Sequence, residues 1–365
     1  MNERIYVCHT YYHVYVAFLK ELNLAKSEWG KATLLLSELS TNFEDLKKRV
    51  DKTKLFHECL PFYEKYASDY PELARYQKQR KNIFLHMFQR IIFTKKFGRI
   101  TAKTIPVNLK DFRDIYVFCD ADPIGYYLNC HHICYHAMED GLNCLKNYNA
   151  ARYENRGHFK LKAFFSEKLN LIFIQDGYGK YCIDMEVNDV SVISYPCKKY
   201  KEQRRQELVD HLSPEAHEII LSAFIPNREE LREKMNQVMT EEKKILILTE
   251  PLCDLKTREK IFRDLIEQYE NEGTVFIKPH PRDELDYREA FPKIPIIDRS
   301  VPMEILNHFP GFKFTKAVAV LTEVTGIHFA EESIRLGSEF MDGYEDPRIH
   351  RQNEQIETSR RKKHE

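Results

Sequence analysis

Neither sign of charge prevails in this chain: 56 lysines and arginines face 56 aspartates and glutamates among 365 residues. A balanced surface gives no global attraction to a nucleic-acid backbone, so nucleic acid is not an expected partner. Nor does any apolar run reach the ~20 residues that a membrane span needs. The opening segment 1–19 starts with charges, but His9, His13 and several tyrosines break its apolar stretch. It reads as neither signal peptide nor anchor, and the expected location is the cytoplasm. Tryptophan is nearly missing, with Trp29 alone. The nine cysteines are scattered, and Cys130 and Cys134 have no second pair at zinc-finger spacing. His131 and His132 beside them do not repair this, because neighbouring side chains on a strand point to opposite faces. Cys8, Cys119 and Cys253 fall in or beside apolar runs, which suits buried free thiols in a reducing compartment.

What the chain does have is 43% hydrophobic residues and the length for two domains. Short apolar, β-branched stretches predict strands at 4–8, 31–36, 55–60, 114–119, 132–137, 171–174 and 191–195. The segment from 198 to about 242 is charged and helical, with Pro214 and Pro226 as breaks. Strands resume at 244–248, 274–277, 294–297 and 317–321, with a helix over 258–269. Strands alternating with helices predict an α/β fold with a doubly wound parallel sheet in each half. The expected domains are 1–197, a linking region 198–242, a second α/β domain 243–345, and a polar basic tail 346–365. That tail carries Arg360-Arg361-Lys362-Lys363 and reads as a surface helix, with peripheral contact to anionic lipid as the alternative.

Chemistry is expected where strands end, since open α/β sheets bind ligands at their carboxyl edges. Strand 274–277 stops at Lys278-Pro279-His280-Pro281, because two prolines around a histidine end a strand. His280 between Lys278 and Arg282 suits a phosphate, with two cations and a group that donates a proton near neutral pH. Glu139-Asp140-Gly141 places a carboxylate pair at another strand end, where one could act as a general base. Thr322 and Thr325, before Gly326, are expected at a strand-to-helix junction that binds phosphate oxygens. Thr249-Glu250, after strand 244–248, belongs to the same edge, and Asp254 beyond it is a competing base. Asp120-Ala121-Asp122 would suit a divalent metal and a nucleotide diphosphate. Asp122 before Pro123, however, has the form of a helix N-cap with proline at N1.

In this order the three motifs resemble those of the bacterial sialyltransferases of glycosyltransferase family 52. That group carries a D/E-D-G motif in the first half, then H-P and a Ser/Thr pair in the second. The opening CHTYYHVYVAFL is similar to the family's first strand and turn. The resemblance implies a GT-B fold, two Rossmann-like domains facing a cleft. It also implies inverting, metal-independent transfer from CMP-sialic acid to a galactose-type hydroxyl of a surface glycan. No cofactor or metal is expected. Carried over by position, Asp140 or Glu139 is the base and His280 the acid. Lys278, Pro281, Arg282, Thr249, Glu250, Thr322, Thr325 and Gly326 lie on the donor side, and Thr10, Tyr11, His13 and Gly141 on the acceptor side. A homodimer is expected. The alternatives are another nucleotide sugar on a GT-B or GT-A enzyme, and a nucleotide-sugar binder without turnover.

Overall fold

The computed structural model describes residues 2–39, 42–77, 82–226, 243–280, 282–299, 301–309, 313–322, 324 and 327–350. The chain divides into two compact units, Met1–Ile219 and Ile220–Glu365, each built on its own parallel sheet.

The strands of the first unit are β1 (Asn2–Cys8), β2 (Ala32–Ser37), β3 (Glu58–Phe62), β4 (Phe112–Phe118), β5 (Tyr135–Met138), β6 (Cys182–Val187) and β7 (Tyr200–Glu202). Their order is β3-β2-β1-β4-β5-β6-β7, and every neighbouring pair is parallel. Parallel strands need crossovers that cover both faces of the sheet, which is why β2 (ATLLLS) is buried along its whole length. Each leucine so buried contributes about 1.5–3 kcal/mol. Strand order reverses between β1 and β4, so the carboxyl ends of these two strands flank the point where such a sheet opens a crevice. The helix Tyr11–Leu22 follows β1 and is tied to it by a buried network. Arg4 holds Glu21 through two bonds of 2.8 and 3.0 Å, and the Tyr6 hydroxyl donates to Glu21 at 2.7 Å.

The second unit holds β8 (Lys244–Leu248), β9 (Thr274–Lys278), β10 (Phe314–Ala319) and β11 (Ala330–Arg335), in the order β11-β10-β8-β9. Here the reversal lies between β8 and β10. Separate apolar clusters cover the two faces, one around Ile247, Phe262 and Ile277, the other around Leu246, Phe276 and Phe314.

Several expectations change. Segment 171–174 is buried but forms no strand: Ile172 and Ile174 pack with Ala151 and Ala163 in a cluster of their own. Segment 191–195 is a 3-10 turn and coil, while β6 and β7 complete the sheet. The first sheet therefore extends past residue 197, and the first unit ends within the helix Pro214–Phe224. Segment 294–297 supplies only a single bridge, Ile277 to Ile296. After β10 the described residues lead to strand β11 rather than to a helix, which removes the expected helix N-terminus. Thr325, Gly326, Pro281 and the tail 351–365 lie outside the described residues. No helix among those described is long and apolar enough to cross a membrane.

Candidate active site

In the first unit the loops after β1, β4 and β5 bring together His9, His13, Cys119, Asp122 and Asp140, with Glu64 arriving from beyond β3. The E-D-G motif splits as extended backbone requires, since successive side chains point apart. Glu139 turns inward and is 2% exposed; its carboxylate accepts from the backbone N–H of Asn188 at 2.6 Å and of Leu145 at 3.4 Å. Burial pushes its pKa up. Asp140 points outward, its side chain 58% exposed. Gly141 is not a close-approach position: a Cβ there would meet only Cys144 Cβ at 3.9 Å.

Asp140 is held from beneath. His13 Nδ1 accepts the backbone N–H of His9 at 3.0 Å. A nitrogen that accepts carries no proton, so in the neutral ring the proton sits on Nε2. That N–H reaches Asp140 Oδ1 at 2.8 Å and the Asp140 carbonyl at 2.8 Å. Cys119 Sγ donates to the same Oδ1 at 2.9 Å. Desolvation would raise the Asp140 pKa, but the hydrogen bonds from His13 and Cys119, aided by His9, outweigh it and hold the carboxyl below its usual range. His13 is fully buried and stacks on Phe118 with ring centroids 4.4 Å apart, so it cannot itself touch an acceptor as the sequence suggested. Desolvation keeps it neutral against the pull of Asp140. Thr10 likewise caps the helix through His13 N–H at 3.3 Å, and Tyr11 stacks on Phe43. Cys119 sits at a φ of 54°, a left-handed backbone that costs a non-glycine residue about 1–2 kcal/mol. Such strain collects at functional sites.

His9, His13 and Cys119 offer donor atoms within 4.8 Å of one another, the one potential metal cluster among the described residues. The His13 tautomer argues against that use, because Nε2 is a donor to Asp140 and Nδ1 is occupied. His9 Nε2 lies 2.9 Å from Glu64, whose other oxygen accepts Ile124 N–H at 2.9 Å. Glu64 thus caps the helix Pro123–Cys130. Asp122 stands at the N-cap position but makes no capping bond, contrary to expectation. Asp120 is buried and accepts from Tyr135 Oη at 2.9 Å and Asp176 N–H at 3.0 Å, so the D-A-D carboxylates are not paired for a metal.

In the second unit the turn after β9 is held by Asp283, which is buried and accepts from Arg258, Tyr287 and Thr249 at 2.6, 2.7 and 3.1 Å. The Thr249 hydroxyl accepts His280 N–H at 3.1 Å, making Thr249 a brace and not a ligand to the donor. His280 Nδ1 accepts Arg282 N–H at 3.1 Å, which again places the proton on Nε2. Desolvation, then Arg282 and Lys278, lower its pKa. The ring is therefore a neutral N–H donor, with Arg282 exposed beside it. Lys278 is no free cation. It is 4% exposed, gives its ammonium to the carbonyls of Pro279 at 2.8 Å and Arg299 at 3.3 Å, and is pushed down to about 8 by burial.

Glu250 is buried too, and its Oε1 accepts Leu321 N–H at 2.8 Å and Thr322 N–H at 2.6 Å. The amides expected to bind phosphate already hold a carboxylate, and Glu250 is no direct ligand to an anion. Asp254 accepts from the N–H groups of Lys256 and Thr257 and caps the helix Leu255–Tyr269, so it is not a competing base. A depression lined by Glu270, Thr274 and Lys293 lies at the amino ends of β8 and β9, the opposite edge from His280.

Glu64, Cys119 and Asp176 were missed by sequence reasoning. Cys119 follows β4 directly and could have been found as a strand-end residue. Glu64 sits two residues past β3 in a segment without a motif.

Among solved structures, the fold matches an α/β-galactoside α-2,3-sialyltransferase from the luminous marine bacterium Photobacterium phosphoreum. The TM-score is 0.52 at 11% identity, over 91% of this chain and 90% of that one. The GT-B domain of a sialyltransferase from Photobacterium damselae aligns at a TM-score of 0.49 and 12% identity, over 88% and 86%. The fold is the GT-B type, with two Rossmann-like α/β units. An uncharacterized protein of Haemophilus influenzae is 32% identical over 82 residues, 21% of this chain and 26% of that protein. The chain thus spans about a quarter of the length of this curated relative. The model of glycosyltransferase family 52 matches residues 69–322, more than half of the sequence and parts of both units. The chain belongs to glycosyltransferase family 52.

Proposed function

We propose that this protein transfers sialic acid from CMP-sialic acid to a galactose-type hydroxyl, with inversion and without a metal, in the cytoplasm. The observation that carries this reading is Asp140, an ionised, half-exposed carboxylate at the carboxyl edge of the first sheet, in a family 52 chain. Asp140 takes the proton of the acceptor hydroxyl as that oxygen bonds to the anomeric carbon. The bond from this carbon to the phosphate oxygen breaks, its electron pair leaving on the phosphate. His280 Nε2–H donates to that oxygen, and the exposed Arg282 adds charge. A second reading, another nucleotide sugar as donor, is favoured by Glu250, which puts a negative group on the amides of Leu321 and Thr322.

The test is transfer to a lactose-like acceptor from a panel of CMP- and UDP-sugars. CMP-sialic acid should be the donor used, and Asp140→Asn and His280→Ala should each lower turnover about 10²–10⁴-fold. Glu139→Gln should affect stability more than turnover. Use of a UDP-sugar alone establishes the second reading; full activity of Asp140→Asn removes the base assignment.

A further inference from the structure

We propose that His13 is the positioning residue of the base: with Cys119 it clamps Asp140 Oδ1 and so assigns proton transfer to Oδ2. The inference rests on the reading of Asp140 as the base. Its warrant is the geometry of one oxygen. Oδ1 receives two donors, Nε2–H of His13 at 2.8 Å and Sγ–H of Cys119 at 2.9 Å. Oδ2 accepts no hydrogen bond from any described residue. A carboxylate with one oxygen fixed from below can turn only its other oxygen toward the substrate.

Three observations show that the clamp is built and not incidental. His13 has one available tautomer, because its Nδ1 is taken by the backbone of His9. Its ring is immobilised between the helix Tyr11–Leu22 and the face of Phe118, at an interplanar angle of 8°. Cys119 reaches Oδ1 from a left-handed backbone that a cysteine adopts only at a cost.

The other charged or titratable groups facing Asp140 are His9, Asp122, Asp176 and Cys144. Of these, His9 supports the ionised form, while Asp122 and Asp176 oppose it when ionised. In the reaction the acceptor O–H bond breaks and its proton arrives on Oδ2, while His13 and Cys119 keep their own protons. The clamp thus holds geometry and ionisation and gives up nothing.

Two substitutions separate this role from simple packing. Asparagine places its side-chain oxygen near the position of Nδ1, so His13→Asn keeps the bond to His9 and loses the clamp. Glutamine places its amide nitrogen near Nε2, so His13→Gln keeps the clamp and loses the bond to His9. The experiment is kcat and KM for both substrates between pH 4 and 9, with melting temperature as the check on folding. His13→Asn should lower kcat roughly 10–100-fold, since misplaced reacting groups cost about that much. Its donor KM should stay unchanged. Losing a donor to the charged form raises a carboxyl pKa, so the acid limb of its rate profile should move up toward the ordinary carboxylate value near 4. His13→Gln should keep the parent profile. Cys119→Ala, which tests the clamp without touching the helix, should move the limb the same way by less.

A structural role alone predicts the reverse order, with His13→Gln the damaged variant, and that result overturns the proposal. Asp140→Asn tells this failure from a failure of the base reading. An inactive Asp140→Asn beside an unaltered His13→Asn and Cys119→Ala sinks only the clamp, whereas an active Asp140→Asn sinks both.

Discussion

Asp120, buried, and Asp176, half-buried, make an acidic pair, and the charge of Asp140 bears on Asp176 as well. Desolvation raises both carboxyls, and the charge of Asp120 raises Asp176 further. Above pH ~4 the unfolded chain has released these protons while the folded unit retains at least one. Proton retention in the folded state means that stability is full in acid and falls as pH rises through the raised folded value. Asp176→Asn removes the group while its amide oxygen can still accept Ala151 N–H, a bond of 3.1 Å in the parent. Its melting temperature should therefore gain on the parent as pH goes from 5 to 9, by about 2–4 °C per kcal/mol for a unit of this size. Parallel melting curves would refute the assignment. The sequence brought Glu139 and Asp140 to one strand end and left either as the base. It could not have shown that Lys278 is buried with its ammonium on carbonyls, because a lysine after a strand is usually exposed and only the packing decides.

Elements were legible where apolar runs are long and both faces are covered, as in β1, β2, β4, β8 and β9. The edge strands β7 and β11 were not. β11 (AEESIR) carries three charged residues, and its place is set by backbone pairing with β10, which leaves no apolar signature. The buried stretch 171–174 fails for the opposite reason, since burial without a ladder imitates a strand. The turn from β4 into the helix Pro123–Cys130 shows what an element can demand of one residue. A Cβ on Gly125 would lie 1.8 Å from the Asp120 carbonyl oxygen and 2.8 Å from the Phe173 ring. Gly125→Ala should cost about 1–3 kcal/mol, because backbone must move and Cys119 with it. Gly141→Ala should change stability little, its nearest contact being 3.9 Å. Thermal melts of the two variants give the comparison; equal losses would contradict it.

At the scale of the molecule, the proposed transfer gives every catalytic role to a side chain and none to an ion. Activity should persist after dialysis against excess EDTA, measured as transfer from CMP-sialic acid. A loss restored by Mn²⁺ would return the D-A-D carboxylates to consideration.

The parallel order of the first sheet also bears on how the chain is made. β1 precedes β2 and β4 in the chain and lies inside the sheet, paired with β2 on one side and with β4 on the other. Asn2 and Arg4 meet Phe112 and Asp114 across a span of over a hundred residues, so that side of β1 stays open until β4 has left the ribosome. An apolar strand with an unpaired edge is a template for wrong partners. Non-local pairing of this kind is slow as well. Among the strands of this sheet, β1 is thus the one most in need of shelter during synthesis.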